Sequence, residues 1–161
     1  MKRSVYSFCM CPGGSVIGCS SEEGGVVTNG MSRHLRGSPY ANSAVVVAVH
    51  IEDFKDMAPH PLSGLVFRRH WEERAFVLGG ENYCAPAQRL IDFLQDKVGN
   101  LPGSTSFLPG VKSVSLRETL PGFAIDALKP RPGQATIFSL GPFFSPFISV
   151  ARPGSASACS P

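Results

Sequence analysis

The run Val45-Val46-Val47-Ala48-Val49 is continuously apolar and almost wholly β-branched. Such side chains are stiff at χ1 and suit a pleated surface, and a run without polar alternation suits a strand buried on both faces. A strand of that kind, predicted within 43–50, needs other strands beside it, and the preceding residues supply them. Val5 to Met10 reads as a strand stopped by Pro12-Gly13-Gly14. Ser15 to Ser20 runs back beside it, Glu22-Glu23-Gly24-Gly25 makes the next turn, and Val26 to Asn29 forms a third short strand ended by Gly30. The first fifty residues are therefore expected to form a small sheet with glycine-rich turns.

The period then changes. Leu62, Leu65, Val66, Trp71, Ala75, Phe76 and Leu78 recur at helical spacing, with Arg68–Glu72 and Arg69–Glu73 as i,i+4 pairs and Gly79-Gly80 as the stop. A second helix is predicted with Pro86 in its first turn, Leu90, Ile91, Phe93, Leu94 and Val98 on its apolar face, and Gly99 at its end. Ser115-Leu116-Arg117-Glu118 has the form of a capping box for a third, shorter helix. Pro121-Gly122 interrupts it, and residues 123–129 resume it. The fold class is α+β, a small antiparallel or mixed sheet with two to three helices. At 161 residues the chain is long enough for one domain around a single core.

After Lys129 the pattern breaks. The last acidic residue is Asp126, and Pro130, Pro132, Pro142, Pro146, Pro153 and Pro161 cut up an apolar set that includes Ile137, Phe138, Phe143, Phe144 and Phe147. Such a tail is too apolar for ordinary disorder and too interrupted for a helix or a central strand, so it is expected to be irregular.

Several function classes are disfavoured. A net charge of +3 with scattered basic residues and no aromatic–basic stripe argues against nucleic acid. Met1-Lys2-Arg3 resembles the head of a signal peptide, but the apolar stretch after it is short and broken at Cys11-Pro12. The longest apolar run, Ala44 to Val49, is far below the roughly 20 residues that span a bilayer. Five cysteines without framework spacing point to a reducing, cytoplasmic setting.

Cys9 and Cys11 share a strand face by period two. A closed zinc site wants about four ligands, however, and Cys19, Cys84 and Cys159 offer no matching pair, while His34, His50, His60 and His70 are isolated. A redox dithiol prefers Cys-x-x-Cys at a helix start. Packing is the reading for the cysteines, and no metal is expected. Gly13-Gly14, Gly24-Gly25 and Gly79-Gly80 serve turns or close backbone approach to a ligand, and none forms a dinucleotide or phosphate-loop motif. Glu22-Glu23 has the chemistry of a general base, yet two carboxylates on a turn are usually solvated. Asn29, Asn42 and Asn82 stabilise turns or offer amides to a ligand, and His34 and Arg36 flank a polar loop that faces either an anion or solvent. From the residues alone, the chain is a soluble α+β domain with a glycine-rich edge.

Phe8-Cys9-Met10-Cys11-Pro12-Gly13-Gly14 followed by Ser21-Glu22-Glu23-Gly24-Gly25-Val26-Val27-Thr28-Asn29-Gly30-Met31-Ser32 resembles a widespread family of predicted FAD-dependent dehydrogenases. The resemblance continues through Ala41-Asn42-Ser43-Ala44, Pro61-Leu62-Ser63-Gly64, Leu78-Gly79-Gly80, Asn82-Tyr83, Ala85-Pro86-Ala87-Gln88 and Pro109-Gly110-Val111. It covers residues 3–129 in order and ends near Pro130.

The resemblance implies the inserted substrate or cap domain of a two-dinucleotide-binding-domain flavoprotein, with FAD as cofactor. It implies that Cys11, Gly13, Gly14, Gly24, Gly25, Asn29, Gly30, Asn42 and Asn82 lie at the flavin–substrate cavity, and it assigns no catalytic residue. The Gly-x-Gly-x-x-Gly fingerprint for the FAD pyrophosphate is absent from this sequence. The expected partners are thus the FAD-binding halves of a longer protein and a small-molecule substrate, with residues 130–161 a frame-shifted or divergent tail. The chain is read as a fragment of an oxidoreductase, not catalytic alone, or as a stand-alone module for a small ligand or a protein.

Overall fold

The computed structural model describes residues 3–57, 61–101, 103–129 and 147–151. The valine run forms the centre of the main sheet. β4 (Tyr40–Val47) lies between β1 (Val5–Pro12) and β7 (Phe147–Ala151), antiparallel to both. Val5 faces Val47, Cys11 faces Asn42, and the register shifts between Phe8 and Cys11. The expectation of a doubly buried strand holds, since Val45, Val46 and Val47 are all buried. Val45 and Val47 join a core with Phe93, Leu120, Ala124, Ile125 and Leu128. β7 is an outer strand, and the rest of the predicted irregular tail lies outside the described residues.

The return of β2 alongside β1 is corrected. β2 (Ser15–Gly18) pairs instead with β3 (Thr28–Met31) in a separate two-stranded sheet, with Val16 opposite Gly30. Pairing β1 with β4 covers the most apolar strand of the chain, an area-proportional gain that a four-residue hairpin cannot match. Gly30 therefore ends no strand; it is a buried mid-strand residue.

α1 (Ser63–Gly79) stops where the paired glycines predict. Gly80 takes φ +104°, and its N–H reaches the carbonyls of Phe76 and Val77. Phe67 anchors α1 among Phe54, Trp71 and Phe123, with ring centroids 6.0–6.4 Å apart. On the outer face Arg68 meets Glu72 at 3.2 Å as expected, but Arg69 leaves Glu73 and binds Glu22 at 2.6 Å.

The second helix is shorter than predicted. Pro86 sits in β5 (Ala85–Ala87), parallel to β6 (Val111–Ser113), and α2 spans only Leu90–Leu94. A two-stranded sheet has an open edge that tolerates a residue with no N–H. The Gln88 side chain then holds the turn, donating to the Lys97 carbonyl at 2.6 Å and accepting from the Leu116 N–H at 2.9 Å. The capping box at Ser115 does not form; residues Leu116–Glu118 make one 3₁₀ turn without a side-chain cap. After Pro121, α3 (Gly122–Leu128) follows as a separate helix, so the predicted interruption holds.

Arg3 ties the layers together. Its guanidinium binds Asp53, donates to the Ala48 carbonyl at 2.9 Å, and lies 4.0 Å from the Phe123 ring centroid. Among the described residues, no helix is long and apolar enough to cross a membrane.

Candidate functional site

The signature residues fall into two groups at opposite ends of β2. The first surrounds the β1–β2 turn. Gly13 takes φ +63°, and a Cβ there would sit 1.8 Å from the Arg36 carbonyl oxygen, so only glycine fits. Gly14 donates its N–H to the Cys11 carbonyl at 3.2 Å. A Cβ on Gly14 would meet the Met31 carbonyl at 2.4 Å, Cys11 Cβ at 2.8 Å and Asn42 Nδ2 at 3.0 Å. Cys11, Gly14, Met31 and Asn42 thus converge at one point, with Gly30 next in the chain.

Asn42 is 4 % exposed, and among the described residues neither its Nδ2 nor its Oδ1 has a hydrogen-bond partner. The Ser43 hydroxyl and the Trp71 indole N–H share that condition, each with a single orphaned atom. Asn42 alone leaves both a donor and an acceptor side by side.

The second group lies about four strand residues away, roughly 13 Å at the usual rise. Here an open cleft of about 490 Å³ is lined by Gly18, Ser20, Ser21, Glu22, Val26, Tyr83 and Phe107, among others. The wall is the loop from Cys19 to Val27, closed on itself by the Cys19 N–H on the Val27 carbonyl and the Val27 N–H on Ser20 Oγ. Three further contacts clamp the loop. Glu22 receives Arg68 at 3.0 Å and Arg69 at 2.6 Å, Val26 N–H reaches the Glu72 carbonyl at 3.1 Å, and Gly24 N–H approaches the Tyr83 hydroxyl at 3.5 Å.

Glu22 is consequently an ion-paired latch. The hydrogen bond from Arg69 is the main influence holding its carboxyl below the usual range. The latch is intact above the ordinary glutamate pKa of about 4.3 and is released as pH falls through the lowered folded value. Glu22→Gln is expected to speed amide hydrogen exchange at Gly24 and Val26 while leaving the global unfolding midpoint nearly unchanged. Equal exchange in the two proteins would show that the ion pairs do not hold the loop.

Of the nine residues singled out from the sequence, Cys11, Gly13, Gly14, Gly30 and Asn42 gather at the first group. Gly24 and Gly25 belong to the cleft loop, with Gly25 pressed against Glu72. Asn29 stands in β3 opposite Ile17, apart from the orphaned amide. Asn82 is an exposed turn residue whose Oδ1 accepts from the Cys84 N–H at 3.2 Å. None of the nine lines the cleft itself. Tyr83, Phe107 and the serines do; Ser21 and Tyr83 lie in the quoted signature segments, but their convergence shows only in space. His34 and Arg36 are exposed on the loop that follows β3. Cys84 is buried, with its Sγ 3.0 Å from the Pro109 carbonyl oxygen.

Residues 1–132 match a family model described as FAD-dependent protein, C-terminal domain-like. An uncharacterized protein of Clostridium beijerinckii is 50% identical over 131 residues, which is 80% of this chain and 24% of that protein. The chain thus spans about a quarter of the length of this curated relative.

Proposed function

Because the chain belongs to the family of FAD-dependent proteins, C-terminal domain-like, we propose that residues 3–129 supply the substrate-side cap beside the flavin of an oxidoreductase of the dehydrogenase type. In such an enzyme the flavin, when bound, carries the electron chemistry, and the protein binds, orients and shields.

The observation that carries this reading is the cleft. Its volume of about 490 Å³ falls in the range of small-molecule sites, and its lining combines an aromatic wall with a few polar groups. Tyr83 and Phe107 offer flat apolar surface to a substrate. Ser20 and Ser21 offer hydroxyls, and the latched loop keeps these groups in place. The carboxylate of Glu22 is committed to Arg68 and Arg69, so its role is to hold the loop.

The residues do not provide for the phosphate end of FAD. The sequence has no Gly-x-Gly-x-x-Gly turn to seat a pyrophosphate at a helix N-terminus. The nucleotide-binding portion of a longer protein is the partner this reading requires.

Lumiflavin, the flavin ring without ribityl phosphate, tests it. Its fluorescence is expected to be quenched saturably when the full chain is added, and to be unaffected by an unrelated protein of similar charge. Absence of quenching at the highest soluble concentration would remove this chain from the neighbourhood of the flavin ring.

A further inference from the structure

We infer that the cleft takes an organic cation, an ammonium group on a flat apolar body, with Glu23 as the carboxylate that recognises the charge. This rests on the substrate-side reading above and names the substrate class. The lining holds two carboxylates, Glu22 and Glu23, and two aromatic rings, Tyr83 and Phe107; among the described residues it holds no lysine, arginine or histidine. An anionic ligand would meet like charge there and no cation to offset it.

The two carboxylates differ in what they already bind. Glu22 accepts from Arg68 and Arg69, and Arg68 also meets Glu72 at 3.2 Å. Those four side chains balance, two cations against two anions. The Glu23 side chain has no hydrogen-bond or ion-pair partner among the described residues. The charge left over in the lining is its own.

An exposed carboxylate on an ordinary turn needs no ligand, but this loop is not free to swing. Its backbone is held on both sides of Glu23, by the ion pairs of Glu22 and by the Val26 N–H on the Glu72 carbonyl at 3.1 Å. Tyr83 is fixed as firmly. It takes φ +63°, uncommon for an aromatic residue, and its ring lies against Phe76 with centroids 4.9 Å apart. Backbones of that kind persist only where the surroundings hold them. Two rings and one free carboxylate are thus kept around the same space, and each attracts an ammonium: the ring faces through their quadrupole, the carboxylate through its charge. A metal ion fits less well, because no three metal-ligating side chains gather among the described residues and Glu22 is already committed.

Benzylamine, benzyl alcohol and phenylacetate carry one ring and methylene with a positive, neutral and negative head, and they test the assignment on the full chain at low salt. Binding is read from the amide chemical shifts of Gly18, Val26 and Val27. Benzylamine is expected to bind roughly tenfold more tightly than benzyl alcohol, and phenylacetate to bind weakest. Glu23→Gln, a change at an exposed side chain, is expected to weaken benzylamine about threefold and to leave benzyl alcohol unchanged. Equal binding of amine and alcohol, or a preference for phenylacetate, overturns the cation assignment and leaves the cleft standing as a substrate site. Benzylamine affinity untouched by Glu23→Gln overturns the role of Glu23. If no probe moves those amides, the inference falls together with the cleft as support for the substrate-side reading.

Discussion

Gly13→Ala is expected to cost about 2–5 kcal/mol, a large share of a typical domain's 5–15 kcal/mol. Two penalties coincide there. A φ of +63° places an alanine in the left-handed region, at about 1–2 kcal/mol. The new Cβ would then lie 1.8 Å from the Arg36 carbonyl oxygen, and since that atom is backbone, relief requires moving the 32–39 segment. Forced overpacking of this kind adds about 1–3 kcal/mol.

Gly24 separates the two penalties. It has φ +74° but no atom within 4 Å of its would-be Cβ, so Gly24→Ala is expected to cost only about 1 kcal/mol. Urea unfolding midpoints of the two variants and the wild type check this. If both variants shift the midpoint equally, the close approach of Arg36 to the β1–β2 turn is absent in solution.

Arg3→Ala is expected to destabilise the domain by about 2–3 kcal/mol. That is less than the loss from breaking a fully buried pair and more than a surface pair is worth. The side chains of Arg3 and Asp53 are 14% and 8% exposed, and the variant leaves the Asp53 carboxylate with only the His50 N–H at 2.7 Å. It also removes the cation from the Phe123 ring and a donor from the Ala48 carbonyl.

A pH dependence follows. Burial pushes the Asp53 carboxyl up, but the hydrogen bonds from Arg3 and His50 outweigh it and hold the group below its ordinary value. A lowered folded pKa means that the stabilisation is fully present above the unfolded value near 3.9 and is lost as pH falls through the folded one. Without Arg3 the carboxyl loses the larger of the influences that lower it, and acid destabilisation should begin at higher pH than in the wild type. Unfolding midpoints for both proteins from neutral pH to about pH 3 give the comparison. Parallel curves with a constant gap would mean that Asp53 does not titrate against Arg3.

The signature turn was legible as glycine-dependent because Pro-Gly-Gly admits few other backbones. The pairing of β1 was not, since β2 and β4 both read as strands able to lie beside it and only the area buried on the valine run decides between them. Arg69 illustrates the same limit. Helical spacing offers it Glu73, but Glu22 arrives from a loop 47 residues away and takes it. Asn42 was visible as an amide among small residues; that both its polar atoms are buried and unmet depends on the converging backbone of Gly14 and Met31. The cleft itself was invisible: Ser21 to Val27, Tyr83 and Pro109 belong to the quoted signature segments, but that they meet Phe107 around one cleft is decided only in space.

The sequence by itself determined the α+β class, the doubly buried strand at Val45–Val47, the stop of α1 at Gly80, the break at Pro121-Gly122 and the kinship with FAD-dependent proteins. These are properties of local backbone preference, hydrophobic run length and residue order, which the chain carries wherever it lies. Tertiary structure alone decided which strand pairs with β1, that Pro86 joins a strand, that Glu22 becomes a latch and that Asn42 is left unpaired. Each of those outcomes is a competition among contacts distant in sequence, settled by buried area and by which polar groups remain within reach once the core has closed.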